Sequence, residues 1–524
     1  MATTHQEALR GPFADLPGLV RLAAAERPGH PAVREGDLTL SYAELAALAD
    51  RIAATLAAAG VGPGDAVALC APTSAAYVAT FLAALQVGGV VTPLAPGSSA
   101  AALAAMIADS GARLLLHDAA TAAALDAEGF QGPPRVRMEG LDDPSFQAWL
   151  APEGSVGPRA PIDPEQPFNI IYSSGTTGAP KGIVQSHRMR WGHVLRGETL
   201  GYDAASIAII STPLYSNTTL VSLVPALARG GTVVLMRKFD ARGFLELAQA
   251  VRATHAMLVP VQYRRLMDLP EFDSFDLSSF RMKTCTSAPF AAELKADILR
   301  RWPGGLVEIF GMTEGGGTCL LFAHEHPDKL HTVGRPAAGH DIRLIDEDGC
   351  TVPQGELGEV VGRSGAMMIG YHNQPEKTRE AEWYDAEGRR FIRTGDVGRF
   401  DEDGFLVLMD RKKDMIISGG FNIYPSDLEA ILARHPAVAE AAVVGAPSRA
   451  WGETPVAFVT AAPGASLDGE ELRGWVNRQV GKTQRLAAVV VRDILPRSTI
   501  GKVLKRELRD EAAAAIREEA VAGV

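Results

Sequence analysis

The stretch Asn169-Ile170-Ile171-Tyr172-Ser173-Ser174-Gly175-Thr176-Thr177-Gly178-Ala179-Pro180-Lys181-Gly182 decides how this chain is read. Its first four residues are mostly apolar and rich in β-formers, a strand signal. The strand runs directly into a Gly/Ser/Thr loop closed by a lysine. Glycines such as Gly175 and Gly178 let backbone N–H groups come close to an anion. The hydroxyls of Ser173, Ser174, Thr176 and Thr177 donate further hydrogen bonds, and Lys181 adds positive charge. That combination suits phosphate. It is not a Walker A loop, which needs Gly directly before the Lys and Ser or Thr directly after it; here Pro180 and Gly182 hold those places.

Outward from the loop, helix and strand signals alternate. Residues 41–60 predict a helix: Ser41 and Glu44 have capping-box spacing, and Leu45, Leu48, Ile52 and Leu56 recur on one face. Strands are expected at 66–69, 90–93 and 112–117, and helices at 74–87 and 99–110. Further strands are expected at 169–172, 206–211, 232–236 and 256–259. Alternation of this kind implies parallel-rich sheets with helices on their faces. No charged residue occurs between Asp65 and Asp109. A membrane span needs about 20 mostly apolar residues in one helix. Pro72, Gly88, Gly89, Pro93 and Pro96 interrupt this run, so a buried strand-helix-strand fits better and no integral membrane span is expected. After about Gly339 short strands and Asp-Gly turns dominate. From Asp414 the texture becomes helix, strand, strand, helix and a basic tail. The expected fold is therefore α/β: a large N-terminal domain, 1–412, with a β-rich subdomain at about 339–412, then a smaller α+β domain, 414–524.

A chain of 524 residues can bury a large core without disulfide or metal staples. The net charge of −11 argues against a nucleic-acid partner. Aromatics are only 6% of residues, which predicts cores built from small side chains. Cys70, Cys285, Cys319 and Cys350 show no metal-ligand or redox spacing, and Met1–Gly11 lacks an apolar signal-peptide core. Reduced thiols in a cytoplasmic protein are expected. Oligomeric state is not legible; a homodimer stays open beside a monomer.

Ser173–Gly182 resembles the signature loop of the adenylate-forming superfamily, which includes acyl-CoA and aryl-CoA ligases. Other motifs of that family follow in order, so the resemblance runs from about Leu38 to Arg509. It implies two half-reactions. A carboxylate first attacks the α-phosphate of ATP, with Mg2+, to give an acyl-adenylate and pyrophosphate. A thiol, usually coenzyme A, then displaces AMP. Within Ile309–Glu314, Phe310 resembles the aromatic that stacks on adenine, beside Gly311. Thr313 resembles the α-phosphate contact, and Glu314 the Mg2+ carboxylate. Asp396 in Arg393-Thr394-Gly395-Asp396 resembles the ribose ligand, and Arg411 a second ribose or phosphate contact. Lys413 matches the hinge about which the small domain turns. Lys502, in Pro496–Lys502, matches the lysine that enters the site for the first half-reaction. Gly419, Gly420 and Trp451 resemble the coenzyme A side of the second.

The acid pocket is implied to lie at Tyr215, Ser216 and Asn217, at Ser287 and at Gly315 and Gly316, and the adjoining Ala288 and Pro289 are implied to line it on the nucleotide-binding side. Ser216 stands where many relatives have His, so Ser216 or Asn217 is expected to supply a hydrogen bond instead. Thr286 and Ser287 stand where Gly is usual, which narrows or polarises one wall. Gly315, Gly316 and Gly317 are expected to leave room. These features suit a ring acid such as a hydroxylated benzoate or cinnamate, with a medium or long aliphatic acid the other choice. A peptide-synthetase module is disfavoured, because no Asp lies within 214–219 to meet an α-amine. A stand-alone enzyme that loads a carrier protein remains the alternative, and a luciferase-like oxygenase and a degenerate nucleotide-binding regulator are weaker ones.

The segment Arg473–Arg509 holds ten basic residues against Asp493 and Glu507, a net charge of +8. It contains Lys502. The expectation is a positive ribbon on the part of the protein that swings over the phosphates.

Overall fold

The structure is a computed structural model. It describes residues 3–173, 181–411, 414–418, 421–448, 451–481, 484–497 and 503–522. By internal contacts the chain groups into two compact units, residues 1–342 with 362–392, and 343–361 with 393–524. The β-rich section expected to belong wholly to 1–412 thus divides between the two groupings, since strands that pair need not be neighbours in sequence.

The first unit is built on two large sheets. One has seven strands in the order Gly370–Tyr371, Lys181–Ser186, Pro167–Ser173, Val90–Pro93, Ala66–Cys70, Leu114–His117 and Arg135–Arg137. Its interior pairings, from Val90–Pro93 to Arg135–Arg137, are parallel. Pro167–Ser173 and Lys181–Ser186 pair antiparallel, with Ser173 opposite Lys181, so the phosphate loop bridges the ends of two adjacent strands. The second sheet has nine strands, and its centre, Gly305–Phe310, Met282–Cys285, His255–Leu258, Ile207–Ile210 and Thr232–Leu235, is parallel.

The expected elements form where their signals lie. The helix Tyr42–Ala58 opens on a complete Ser41/Glu44 capping box. The charge-free stretch folds as strand Ala66–Cys70, helix Ala75–Gln86, strand Val90–Pro93 and helix Ala100–Ser110. Every residue of Ala75–Gln86 is buried. No helix among the described residues is long and apolar enough to cross a membrane. Small side chains do fill much of this core, as composition suggests. They do not fill all of it: Trp302 is 1% exposed and is ringed by Phe244, Tyr263, Phe272 and Phe280 at centroid distances of 5.0–6.1 Å. Five of the scarce aromatics are gathered at this one place, which composition cannot reveal.

In the second unit, Phe421–Ile423, Ile416–Ser418, Gly452–Ala461 and Val438–Ser448 form a sheet in that order, and Ala488–Arg492 joins it parallel to Gly452–Ala461. Helices Pro425–Leu432, Gly469–Asn477 and Lys505–Ala522 belong to the same unit. Leu428, Leu432, Val443, Val459 and Val476 form one of its cores, and Val444, Phe458, Leu495 and Leu508 another.

Among the described residues the expected positive ribbon is largely neutralised. Arg473 pairs with Glu470, Arg492 with Glu511, Arg497 with Glu440, Lys505 with Glu429, Arg506 with Asp510 and Arg509 with Asp414. Six of the ten bases are thus matched by carboxylates, all of them outside the counted segment. A charge sum along sequence overlooks partners brought in by the fold.

Candidate functional site

Ser174, Gly175, Thr176, Thr177, Gly178, Lys413, Gly419, Gly420 and Lys502 lie outside the described residues. The remaining expected residues fall in two places, one in each unit.

In the first unit, Lys181 begins the strand that leaves the phosphate loop. Its ammonium sits 5.0 Å from the centre of the Tyr371 ring, a cation–π contact. The Tyr371 hydroxyl donates to Glu314 Oε1 at 2.8 Å. Burial, and then the Glu314 charge, push the Tyr371 phenol well above its ordinary pKa, so it stays a donor. Lys181 and Glu314, 133 positions apart by number, are thus joined through one side chain. Tyr371 lies on the short strand Gly370–Tyr371 paired with Lys181–Ser186, with Tyr371 opposite Ile183. No local motif marks it. Magnesium is satisfied by one or two carboxylates together with phosphate and water. A single half-buried carboxylate, tethered by one oxygen beside a phosphate-loop lysine, fits that demand. Among the described residues no group of three or more His, Cys, Asp or Glu could hold a metal without a nucleotide.

Phe310 ends the strand Gly305–Phe310, and the chain turns through Gly311, Met312, Thr313 and Glu314. The Thr313 carbonyl accepts from Gln185 Nε2 at 2.6 Å, and the same amide reaches Asn217 Oδ1 at 3.3 Å. Gln185 was not anticipated; the only hint was a polar residue after the apolar pair Ile183-Val184.

Of the residues expected at the acid, Tyr215, Ser216 and Asn217 lie at the start of the helix Asn217–Ala228, and Ser287 reaches it through Thr218. Ser216 is the N-cap of that helix, and Ser216 Oγ accepts from the Thr218 N–H at 3.3 Å. Both residues expected to replace the missing His therefore have work inside the protein, Ser216 as a cap and Asn217 as the partner of Gln185. Tyr215 is half-buried beside them. Ser287 comes from the facing loop, where Ala288 is half-buried and Pro289 exposed. Ser287 has φ +82°, a left-handed conformation that is costly for a residue with a side chain. Its hydroxyl lies 2.6 Å from Thr218 Oγ1. Thr286 Oγ1 donates to the Ile309 carbonyl at 2.7 Å and ties this loop to the Phe310 strand.

The three glycines after Glu314 do not leave room, contrary to expectation. Gly315 has φ +75° and Gly316 φ +88°. A Cβ on Gly315 would stand 2.0 Å from the Ala366 carbonyl oxygen, and one on Gly316 2.7 Å from that of Gly362. A Cβ on Gly317 would meet Ile342 at 2.5 Å. The space is already filled by other backbone and by Ile342.

In the second unit Asp396 sits on the strand Arg390–Phe400 directly opposite Arg411 on Leu406–Arg411. The two expected ribose contacts therefore share one rung of a ladder. The Asp396 N–H bonds Thr394 Oγ1 at 3.0 Å, and Thr394 in turn donates to the Val360 carbonyl at 2.9 Å. Trp451 stands at the turn between strands Val438–Ser448 and Gly452–Ala461, 48% exposed.

Residues 20–372 match the family model described as AMP-binding enzyme, and residues 427–502 match its C-terminal domain. A feruloyl-CoA synthase from an Amycolatopsis species is 36% identical over 92% of this chain and 96% of its own length. A fatty acid–[acyl-carrier-protein] ligase, ScoC, from Streptomyces coeruleorubidus is 34% identical over 93% and 94%. Among solved structures, ATP-bound MatB from Rhodopseudomonas palustris superposes with a TM-score of 0.87 at 28% identity, covering 95% of this chain and 99% of that one. The chain belongs to the AMP-binding enzyme family, and so to the acid–CoA ligase branch of the adenylate-forming superfamily.

Proposed function

We propose that this AMP-forming acid–CoA ligase acts on a hydroxylated aromatic acid of the benzoate or cinnamate type. ATP and coenzyme A are its co-substrates. The acid's carboxylate attacks the α-phosphate of ATP, forming a mixed acyl–phosphate anhydride and breaking the bond to pyrophosphate. The coenzyme A thiol, losing its proton, then attacks the acyl carbon and expels AMP. Lys181 and the loop before it hold phosphate oxygens, and Thr313 meets the α-phosphate. Phe310 stacks on adenine, and Asp396 with Arg411 holds the ribose. Glu314 would hold Mg2+, which neutralises charge on the phosphates. Lys502 stabilises the charge that develops as the carboxylate adds. The small domain, 414–524, turns about Lys413 and presents Gly419, Gly420 and Trp451 to coenzyme A. A cytoplasmic location belongs to the same reading.

The observation that carries the aromatic reading is the Thr218–Ser287 hydroxyl pair at 2.6 Å, held on a strained backbone at the acid side. A polar wall of this kind accepts a ring hydroxyl, and a site built to hydrogen-bond a substrate group discriminates strongly against acids that lack it. The 36% identical feruloyl-CoA synthase supports the same class. The loss of the expected room at Gly315–Gly317 weighs against a long aliphatic chain.

The test is ATP–pyrophosphate exchange over a panel of hydroxycinnamates, hydroxybenzoates, their unsubstituted parents and C6–C16 fatty acids. Each active acid is then assayed with coenzyme A alone as acceptor. Hydroxylated ring acids should give kcat/KM at least tenfold above the parents and the fatty acids. A fatty acid at the top of the ranking rejects the aromatic reading. Exchange without thioester formation on coenzyme A transfers the case to a carrier-protein acceptor.

A further inference from the structure

Arg190 lies on the helix His187–Thr199, and its side chain is 2% exposed. A buried guanidinium is normally paired with a carboxylate, because desolvation of an unpaired charge is costly. Here every hydrogen-bond partner is neutral. Nε and one terminal nitrogen donate to Asn169 Oδ1 at 3.1 and 2.9 Å. The same terminal nitrogen donates to Gln185 Oε1. The other bonds His193 Nδ1 at 3.2 Å. Burial holds His193 well below its ordinary pKa, so it is neutral, and burial lowers Arg190 itself to about 9. No carboxylate hydrogen-bonds Arg190; its guanidinium is held by neutral amide and imidazole groups and lies 5.6 Å from the centre of the Phe168 ring.

The location of those dipoles is informative. Asn169 lies on the strand entering the phosphate loop, and Gln185 on the strand leaving it. Asn169 Nδ2 also donates to Gln185 Oε1 at 3.0 Å. With its carbonyl oxygen claimed by Arg190 and Asn169, the Gln185 amide has only one orientation left. Its NH2 must face away, and there it meets the Thr313 carbonyl at 2.6 Å and Asn217 at 3.3 Å.

We propose that Arg190 is a positioning residue for adenylate formation. By orienting the Gln185 amide, it fixes the Thr313–Glu314 turn and the start of the acid-side helix against the two strands that carry the phosphate loop. Arg190 touches no reacting atom. Its contribution is to geometry, and a displacement of about 1 Å in such a site costs about 10²-fold in rate. The thiol step begins from an adenylate already made, so it depends less on this alignment.

The decisive variant is Gln185→Glu. It keeps the oxygen that Arg190 and Asn169 bind and gives Arg190 a carboxylate, so folding is retained. It replaces the NH2 that holds Thr313 with an oxygen that repels the carbonyl. The assay uses full-length enzyme and whichever acid drives exchange in the unaltered enzyme, so the acid's identity does not enter. Expected is a thermal midpoint held within a few degrees and a fall of about 10²-fold in kcat for ATP–pyrophosphate exchange. Thioester formation from supplied acyl-adenylate should stay within threefold. Arg190→Met should lose exchange in the same way, and Arg190→Lys should recover part of it. Unaltered exchange in Gln185→Glu overturns the proposal. So does loss of both half-reactions and of thermal stability in parallel across the three variants, which would make the network structural only.

Discussion

The Tyr371 hydroxyl donates to the Glu314 carboxylate at 2.8 Å while the face of the same ring receives Lys181. One aromatic side chain thus orients the expected metal carboxylate and the phosphate-loop lysine together. Tyr371→Phe keeps the ring and deletes one hydrogen bond to a charged group, worth about 1.5–3 kcal/mol. The expected result is a tenfold or greater fall in kcat/KM for ATP in pyrophosphate exchange, partly restored by raised Mg2+. A change below twofold would remove Tyr371 from the site.

Lys502→Ala should separate the half-reactions. Loss of one preorganised cation from developing charge costs about 10²–10³ in rate, so adenylate formation falls by that factor. Thioester formation from supplied acyl-adenylate is retained. Lys413→Pro should show the opposite pattern by restricting the turn of the small domain. Stopped-flow measurement of each half-reaction reads both. Equal losses in the two steps would contradict these roles.

Gly315→Ala addresses the filled space after Glu314. The new methyl needs φ +75° and stands 2.0 Å from the Ala366 oxygen. Strain at a left-handed position combined with overpacking costs about 2–4 kcal/mol. Denaturant unfolding should show that loss, together with weaker ATP use, since Glu314 is the adjacent residue. A stable variant with a merely narrowed acid range would restore the open-pocket expectation.

Ser287→Gly should relieve backbone strain and delete the Thr218 bond. With φ +82° already suited to glycine, stability should hold or rise by about 1 kcal/mol. The preference for hydroxylated over unsubstituted ring acids should fall about tenfold, the order of one hydrogen bond to substrate. An unchanged preference places the hydroxyl pair away from the acid.

Acid should destabilise the fold through buried histidines. His187 and His255 are both lowered to about 4 by burial, and burial also holds His193 well below its ordinary value. Their folded pKa values lie below the unfolded value near 6.5, so between pH 6.5 and 4 the unfolded chain binds more protons. Each contributes stability that is fully present above about pH 6.5 and lost as pH falls toward 4, at up to about 1.4 kcal/mol per pH unit. Urea midpoints at pH 7.5, 6.0 and 5.0 should fall steadily, and His255→Gln should flatten the slope. A midpoint independent of pH over that range would contradict neutral burial.

Sequence by itself determined the family, the alternation of strands and helices, and the motif residues in order. Those signals are local. A capping box such as Ser41 with Glu44 spans four residues, and the phosphate loop carries its chemistry in ten. The charge-free stretch 66–108 could be read as buried strand-helix-strand because its prolines and glycines break it at the element ends. Tertiary structure alone decided what couples those motifs. Tyr371 joins Lys181 to Glu314, and Arg190 works through Gln185 on Thr313, across separations that no periodicity or spacing encodes. It also reversed two readings made by counting. The glycines at 315–317 admit neighbouring backbone rather than substrate, and the basic residues of 473–509 meet acids contributed from elsewhere in the fold. Composition counts what is present, whereas free volume and net field depend on what folding brings alongside.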